Sequence, residues 1–387
     1  MNAAGAGLSV LPSAADAALE ASLAALSHAG CDHADLAFVF VSGEAYAESH
    51  ALLHAVRPVT GARAVLGCSG AGVLANDKEI EGETAVAVLV VRNERVVMTP
   101  FVLDDLAEAG DDAASQLAQR VAETVLQSGS VIVMPDVRGL DPRALLHRFD
   151  DAVGFVPVVG AVAAGTQLFE LYNTDARQGA LAGLAVSGAE PVIGVAQGCM
   201  PIGEPFVITR AEDNVVHTIG SRPALEILKD AIGTLPDAQE RINRAGVFAG
   251  VAMDPTKSPL ERGDFLVRNL AGIDPSSGAI AIAERVRVGQ TIQFQIRDAA
   301  AAHDDLESTL AGVAKALGGR RPLFGCYFNC AGRGRGLFGV PDHDVQLIRE
   351  RLGEFPVAGF FGNGEFAPIG RRNFFHNYTG ALVLFPA

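Results

Sequence analysis

The sequence predicts an α/β protein of mixed α+β character, with two domains whose mixed β-sheets are covered by helices. Three observations carry that prediction. The chain has 387 residues, enough for about two domains and a large core. Short apolar runs suited to buried strands alternate with longer runs of helical period. One order of elements, helix–strand–helix–strand–strand, recurs three times, and each copy carries two glycines five residues apart.

In the first copy, residues 14–29 read as a helix capped by Ser13, with Asp16 three residues on. LAFVFVS follows as a strand, 44–57 as a helix, AVLGCSGAG with Gly67 and Gly72 as a strand and turn, and TAVAVLVV as a last strand. The second copy runs through a helix over 105–127, SVIVMPD, a helix over 141–152, PVVGAVAAG with Gly160 and Gly165, and GALAGLAVSG. Asp141 caps its second helix and Pro142 takes the first helical position, where the missing N–H costs nothing. The region 191–300 breaks the pattern. It reads as strands, AIAERVRVG and TIQFQIRD among them, with one helix over 222–233. The third copy opens with a helix over 303–317, where Leu306, Leu310, Val313 and Leu317 share a face and Gly318 is a fitting stop. PLFGCYFN, a helix over 342–353, PVAGFFGNG with Gly359 and Gly364, and TGALVLF complete it. Uneven spacing of the copies separates this from a solenoid. A boundary near 220 gives domains 1–220 and 221–387, the first with two copies, the second with the third copy and the strand-rich region.

Composition excludes several functions. A net charge of −15 without any Lys/Arg block argues against a nucleic-acid groove or an anionic membrane surface. The uncharged run 152–169 is of membrane length, but Gly154, Pro157, Gly160 and Gly165 make it strand–turn–strand. Five scattered cysteines lack disulfide-framework spacing and read as reduced thiols. The first fifteen residues contain no Lys or Arg and do not form a signal peptide, so a cytoplasmic protein is expected.

Glycines at strand ends let a backbone turn sharply and approach a neighbour or a ligand closely. The alternative is a tight bend against a packed neighbour, and the second copy, GAVAAG, has nothing reactive. The first copy carries Cys68 and Ser69, and the third carries Asn363 and Glu365, a thiol, a hydroxyl and a carboxylate suited to a small polar ligand. In GCYFNCAGRGRGLFG, Cys326, Phe328 and Cys330 face one side of a strand and Asn329 the other. Arg333 follows among glycines, where a guanidinium can clamp an anion bidentately or pair with a nearby acid. Arg333 and Glu365, at neighbouring strand ends, are expected within reach of each other.

Other patterns do not carry their usual chemistry. GRGLFG, 334–339, matches G-x-G-x-x-G, but Pro341 starts the helix after the last glycine, unlike a dinucleotide fold. GCSGA has Ala71 where a hydrolase elbow needs glycine. Cys326 and Cys330 lack a second pair at zinc spacing. His50 and His54 lack the Glu of H-E-x-x-H and read as exposed. Arg297, Asp298, His303, Asp304 and Asp305 gather in QIRDAAAAHDDL, whose acids most simply cap the following helix.

VLGCSGAG, QGCMPIGEPFVITR, FNCAGRG and AGFFGNGEFAPIG, in that order and across nearly the whole chain, resemble the FIST sensory-domain family. That family's first motif runs on as G-C-S-T-A-G-E-I; Gly70 and Val73 stand here in place of its Thr and Glu. The resemblance implies an N-terminal and a C-terminal FIST domain and a signal-input module for a small polar metabolite such as an amino acid. It implies an output partner such as a kinase or cyclase, for which the chain holds no further residues.

The resulting expectation is a cytoplasmic, non-enzymatic sensor with its ligand between the two halves. Arg333 would hold an anionic group, and Glu365 an ammonium or Arg333 itself. Cys68 and Ser69 would line the opposite wall, and Asn329, Cys330 and Asn363 complete the site. No metal or cofactor is expected. Two alternatives stand: an enzyme with Cys68 or Cys330 as nucleophile, which would need a base nearby and a lowered pKa, and a haem sensor with His217, His303 or His376 as axial ligand.

Overall fold

A computed structural model describes residues 2–43, 49–125, 129–254 and 256–387. In chain order the elements are β1 (Ala3–Ser9), α1 (Ala14–Ala29), β2 (Leu36–Ser42), α2 (Ser49–Thr60), β3 (Ala64–Ser69), β4 (Gly72–Ala75), β5 (Lys78–Glu81), β6 (Ala85–Arg92), β7 (Val97–Leu103), α3 (Leu106–Ala109), α4 (Ala113–Val125), β8 (Gly129–Pro135), α5 (Pro142–Val153), β9 (Val158–Ala161), β10 (Glu170–Tyr172), β11 (Asp175–Arg177), β12 (Leu181–Ser187) and β13 (Val192–Gln197). There follow β14 (Cys199–Glu212), β15 (Val215–Ile219), β16 (Arg222–Pro223), α6 (Ala224–Gly233), α7 (Ala238–Ala245), β17 (Val247–Ala252), β18 (Phe265–Asp274), β19 (Ala279–Ile282) and β20 (Thr291–Arg297). The chain ends with α8 (Ala299–Leu317), β21 (Pro322–Cys330), α9 (Gly334–Phe338), α10 (His343–Leu352), β22 (Val357–Gly362), β23 (Glu365–Ile369), β24 (Arg372–His376) and β25 (Thr379–Pro386).

The threefold repeat is present, and larger than the sequence indicates. Each copy begins with an extra strand (β1, β7, β13) and inserts a short hairpin (β4–β5, β10–β11, β23–β24) after its glycine pair. The helix expected over 105–127 breaks, because Gly110 takes a left-handed φ of 49° and a 3₁₀ turn over Gly110–Asp112 precedes α4. Part of the helix expected over 44–57 lies at 44–48, outside the described residues, as does the end of the one expected to 127.

Three six-stranded sheets result, with one topology: β1-β6-β2-β3-β10-β11, β7-β12-β8-β9-β23-β24 and β13-β25-β21-β22-β4-β5. The last two strands of each sheet are the hairpin of another copy. The first copy's hairpin completes the third sheet, the second's completes the first, and the third's completes the second. The strand pairs that carry the first glycine of each copy are parallel (β2–β3, β8–β9, β21–β22).

Alternation along the strands sends one face of each sheet into a shared core, with Phe38, Phe40 and Leu66 from the first, Ile132, Met134 and Val159 from the second, and Phe324, Phe328 and Phe360 from the third. Phe40 stacks on Phe360 at 5.3 Å between ring centroids. The opposite faces pack on helices, the first sheet on α1 and α2 and the second on α4 and α5. Ser13 caps α1 and Asp141 caps α5 through the backbone N–H groups of Asp16 and Arg143.

The chain divides into two compact units, one of residues 1–195, 306–375 and 379–387, the other of 196–305 and 376–378. The second unit is a seven-stranded sheet, β14-β20-β17-β18-β19-β15-β16, with α6 over an apolar face of Ile208, Ile280 and Phe294. Its second helix, α7, is absent from the sequence-based expectation.

The first glycine of each pair has a single physical reason. A Cβ at Gly67, Gly160 or Gly359 would stand 1.7, 1.8 or 1.8 Å from the carbonyl oxygen of Val39, Val133 or Tyr327 on the neighbouring parallel strand. Alanine at any one of the three is therefore expected to cost more than about 3 kcal/mol in urea unfolding, or to abolish folding. Gly312 in α8 has nothing within 4 Å of its Cβ position, and Gly312→Ala should add up to about 1 kcal/mol. Equal effects at all four positions would refute the close-approach account.

Candidate functional site

The three glycine-bearing turns meet. The backbone N–H of Ala71 donates to Phe361 O at 2.9 Å, that of Ala164 to Ser69 O at 3.0 Å, and that of Asn363 to Val162 O at 3.1 Å. Donors and acceptors hold the same places in their copies, four and two residues past the first glycine. Each turn thus gives one bond and receives one, and the ring closes.

Beside the ring, each hairpin begins at an equivalent position. Val73 lies opposite Phe360, Glu170 opposite Cys68, and Glu365 opposite Ala161. Their partners belong to the shared core, so these side chains face inward. Glu170 and Glu365 are fully buried. Their surroundings repeat: Ala180 N donates to Glu170 Oε2 at 3.3 Å, and its equivalent Thr379 N to Glu365 Oε2 at 3.2 Å. Among the described residues, neither Glu170 Oε1 nor Glu365 Oε1 has a hydrogen-bond partner. Burial, then the charge of Asp136, pushes Glu170 up to about 9. Burial pushes Glu365 up to about 8, against the Thr379 N–H, the Cys330 thiol, the Gly364 N–H and the Arg333 charge. Both are neutral carboxylic acids at pH 7, able to donate as well as accept.

Cys68 is fully buried, and burial followed by the Glu170 carboxyl holds its thiol well above the ordinary range. Ser69 is also buried, its Oγ accepting from Phe169 N at 3.2 Å. Asn363 is exposed and joins the ring through its backbone. Cys330, at the end of β21, lies beside Glu365.

Arg333 does not take Glu365 as its carboxylate partner. Its Nε and Nη2 donate to Asp344 of α10 at 3.0 and 3.3 Å, and both side chains are fully buried. The reason is topological: Glu365 begins a hairpin of the second sheet, whereas Arg333 follows a strand of the third. Asp344 also accepts from Tyr327 Oη at 2.8 Å and Asn329 Nδ2 at 3.1 Å, and His343 Nδ1 stands 2.8 Å from it. Although burial opposes it, Arg333 and His343 hold the Asp344 carboxyl well below the usual range. Glu79 of β5 faces the same cluster. Its Oε1 accepts from Val345 N at 3.3 Å, and burial, then Asp344 and Glu81, push it up to about 9.

All seven residues singled out in the sequence lie in the first compact unit. Cys68, Ser69, Asn363, Cys330 and Glu365 gather at or beside the ring, while Asn329 and Arg333 belong to the Asp344 cluster on the helix-covered face. Sequence reasoning missed Glu170, Asp344 and Glu79. Glu170 was findable: it stands at the head of the second copy's hairpin as Glu365 does in the third. No local signal marks Asp344, eleven residues beyond its arginine. Among the described residues no group of three or more His, Cys, Asp or Glu could hold a metal ion, and no helix is long and apolar enough to cross a membrane.

The chain matches the FIST N domain over residues 35–222 and the FIST C domain over 224–368. It belongs to the FIST family. FIST domains are small-ligand sensory domains of signalling proteins. An uncharacterized Mycobacterium tuberculosis protein is 36% identical over 390 residues, covering 98% of this chain and 99% of its own. An uncharacterized Mycobacterium bovis protein is 35% identical over 391 residues, covering 98% of each. Among solved structures, a cyanuric acid hydrolase from A. caulinodans aligns over 48% of this FIST chain and 71% of its own at 12% identity, with a TM-score of 0.27.

Two outcomes follow for the FIST chain. Arg333→Ala or Asp344→Ala strands a buried charge and should cost about 3–5 kcal/mol. An unchanged thermal midpoint would show that this pair does not support the fold. The second outcome concerns pH. Glu170, Glu365 and Glu79 keep their protons in the fold up to about 8 or 9, while an unfolded Glu loses its proton near about 4.3. Between those values the folded state holds more protons, so stability is greatest below the unfolded value and falls as pH rises, by up to about 1.4 kcal/mol per pH unit per group. Asp344, with its lowered value, acts only in acid and in the opposite sense. The thermal midpoint should drop from about pH 5 to about pH 9, and Glu170→Gln with Glu365→Gln should flatten that slope. An identical slope in the double variant would mean that both carboxyls are ionised in the fold.

Proposed function

We propose that this FIST chain is a sensor whose ligand, a small polar molecule with both donor and acceptor groups such as an amino acid, binds at the ring of glycine-bearing turns. One observation carries the reading: two equivalently placed, neutral, buried carboxyls each keep an oxygen without a partner among the described residues, beside that ring. Buried polar atoms are nearly always satisfied, and leaving one unmet costs about 1–3 kcal/mol. A core built for stability alone favours the third solution, Val73 at the same position. Glu170 and Glu365 would offer a carboxyl O–H and an acceptor oxygen to the ligand, and Cys68, Ser69, Cys330 and Asn363 would shape the space around it. Arg333, committed to Asp344, acts as a positioning residue and as a distant positive charge on Glu365.

A non-enzymatic role fits the thiols. Burial pushes Cys68 and Cys326 away from the thiolate form that a nucleophile needs. Cytoplasmic location, supported by cysteines without disulfide-framework spacing, and a signalling output such as a kinase or a cyclase, in keeping with the family's role in signalling, complete the reading.

The test is native mass spectrometry of the purified protein, followed by thermal-shift titration with the twenty common amino acids and whatever mass co-elutes. At least one compound should raise stability saturably, by about 2.7 kcal/mol at a hundredfold excess over its dissociation constant. Glu365→Leu with Glu170→Leu should remove that response. No response from any compound, or one that survives in the double variant, would overturn the assignment to the ring.

A further inference from the structure

Glu170 and Glu365 hold equivalent places, but the polar side chain beside each differs. Three residues past Val133 and Tyr327, the strand partners of Gly160 and Gly359, stand Asp136 and Cys330. Successive backbone N–H groups hold the two acids of the second copy side by side: Gly179 N donates to Asp136 Oδ2 at 3.2 Å and Ala180 N to Glu170 Oε2 at 3.3 Å. Both acids are buried, and both are tied to the ring. Ala163 N donates to Pro135 O at 3.0 Å, and Phe169 N to Ser69 Oγ at 3.2 Å.

The pair shares one proton. Arg138, largely exposed, donates from Nε to both Asp136 oxygens at 3.0 and 2.9 Å. Although burial opposes it, Arg138 and the Gly179 N–H hold Asp136 below the ordinary carboxylate range. Burial, and then the Asp136 charge, keep the proton on Glu170. Arg177, opposite Glu170 on β11, is committed to Asp104 and Asp175, and the Cys68 thiol opposite it on β3 keeps its proton. At Glu365 the thiol of Cys330 bonds the carboxyl, and Arg333 lies beyond, fixed to Asp344. Glu170 Oε1 and Glu365 Oε1 stay buried without a partner among the described residues.

We infer that the ring reads its ligand with a fixed polarity: the Asp136–Glu170 pair takes an ammonium end, and Glu365 donates its O–H to the acceptor end, a carbonyl or carboxylate oxygen. The inference rests on the ring as the binding site and gives each of its two acids a separate part. An opposite charge in contact favours the ionised form of an acid, so an ammonium at Glu170 displaces the proton there. The Glu170 O–H proton leaves to solvent, and the ammonium N–H groups bond the freed oxygen. One positive charge enters as another departs, so the buried corner keeps its net charge. A ligand carboxylate at this corner would meet the like charge of Asp136. At Glu365, where a thiol stands in place of Asp136, the carboxyl keeps its proton and has a donor to offer.

The test is isothermal titration calorimetry of the full chain with L-alaninamide, L-alanine and L-lactate at about pH 6.5, where the probes' amines stay charged. Each titration is run in phosphate and in Tris, whose different heats of ionisation report protons released. L-Alaninamide should bind saturably and release about one proton per molecule bound. L-Lactate, which lacks the ammonium, should bind about tenfold more weakly or not at all. Glu170→Gln should abolish the proton release, whereas Glu365→Gln should leave it in place. The release is read on the unaltered chain, so the test holds even if a variant folds poorly. Binding without proton release, equal affinity for L-lactate, or release that survives in Glu170→Gln would overturn the polarity and leave the ring standing as a site. Failure of L-alaninamide to bind would overturn it too, and silence of all twenty amino acids as well would remove the ring assignment with it.

Discussion

The exchange of hairpins among the three copies is the constraint on which the first compact unit rests. No copy completes its own sheet: each supplies its hairpin to another and receives one in return. A copy alone would expose an unfinished sheet edge and an apolar face, so the three must form together. Close backbone approach makes this possible. Parallel strands sit so near at Gly67, Gly160 and Gly359 that any side chain there would occupy a carbonyl oxygen. The three turns that follow then lock by a closed ring of backbone bonds.

The same environment drives buried carboxyls to opposite charge states. Asp344 is as buried as Glu365, yet it stays ionised because a guanidinium, a phenol, an amide and an imidazole converge on it. Glu170 and Glu365 meet only backbone N–H groups and, at Glu365, the Cys330 thiol, with no cation in contact, and remain protonated. Desolvation is nearly equal in the three cases, so the number and charge of the surrounding donors decide the outcome. Asp344 therefore holds structure, fastening α10 to β21 through Tyr327 and Asn329. The protonated pair has hydrogen-bonding capacity left over.

Much of this architecture is legible in the sequence, because a strand-end glycine and an apolar run announce themselves locally. The helix over residues 14–29 and the strand LAFVFVS stand where their patterns put them. The hairpins escape such reading, since DARQ or KEIE carries little alternation and each pairs with a strand from another copy. Arg333 does clamp a carboxylate, as its place among glycines suggests, but its partner lies on α10 rather than on the next strand end. Such pairings depend on which sheet a hairpin joins, a long-range fact that no local spacing encodes.

Function in a pseudo-symmetric frame lies where the symmetry fails. The backbone repeats closely enough that equivalent bonds recur at Glu170 and Glu365 and at Asn76 and Asn173. If stability alone set the side chains, equivalent places would converge on similar apolar residues, as Phe40, Met134 and Phe328 do in the shared core. At the hairpin heads the three places hold Val73, Glu170 and Glu365, and at the strand ends Ser42, Asp136 and Cys330. These substitutions put neutral acids, a thiol and a carboxylate at the buried end of an apolar core, where each costs desolvation that Val73 avoids. Two copies out of three bear that cost at one level, around one ring. A difference so confined, in a frame that supplies its own apolar control, is not a demand of the scaffold.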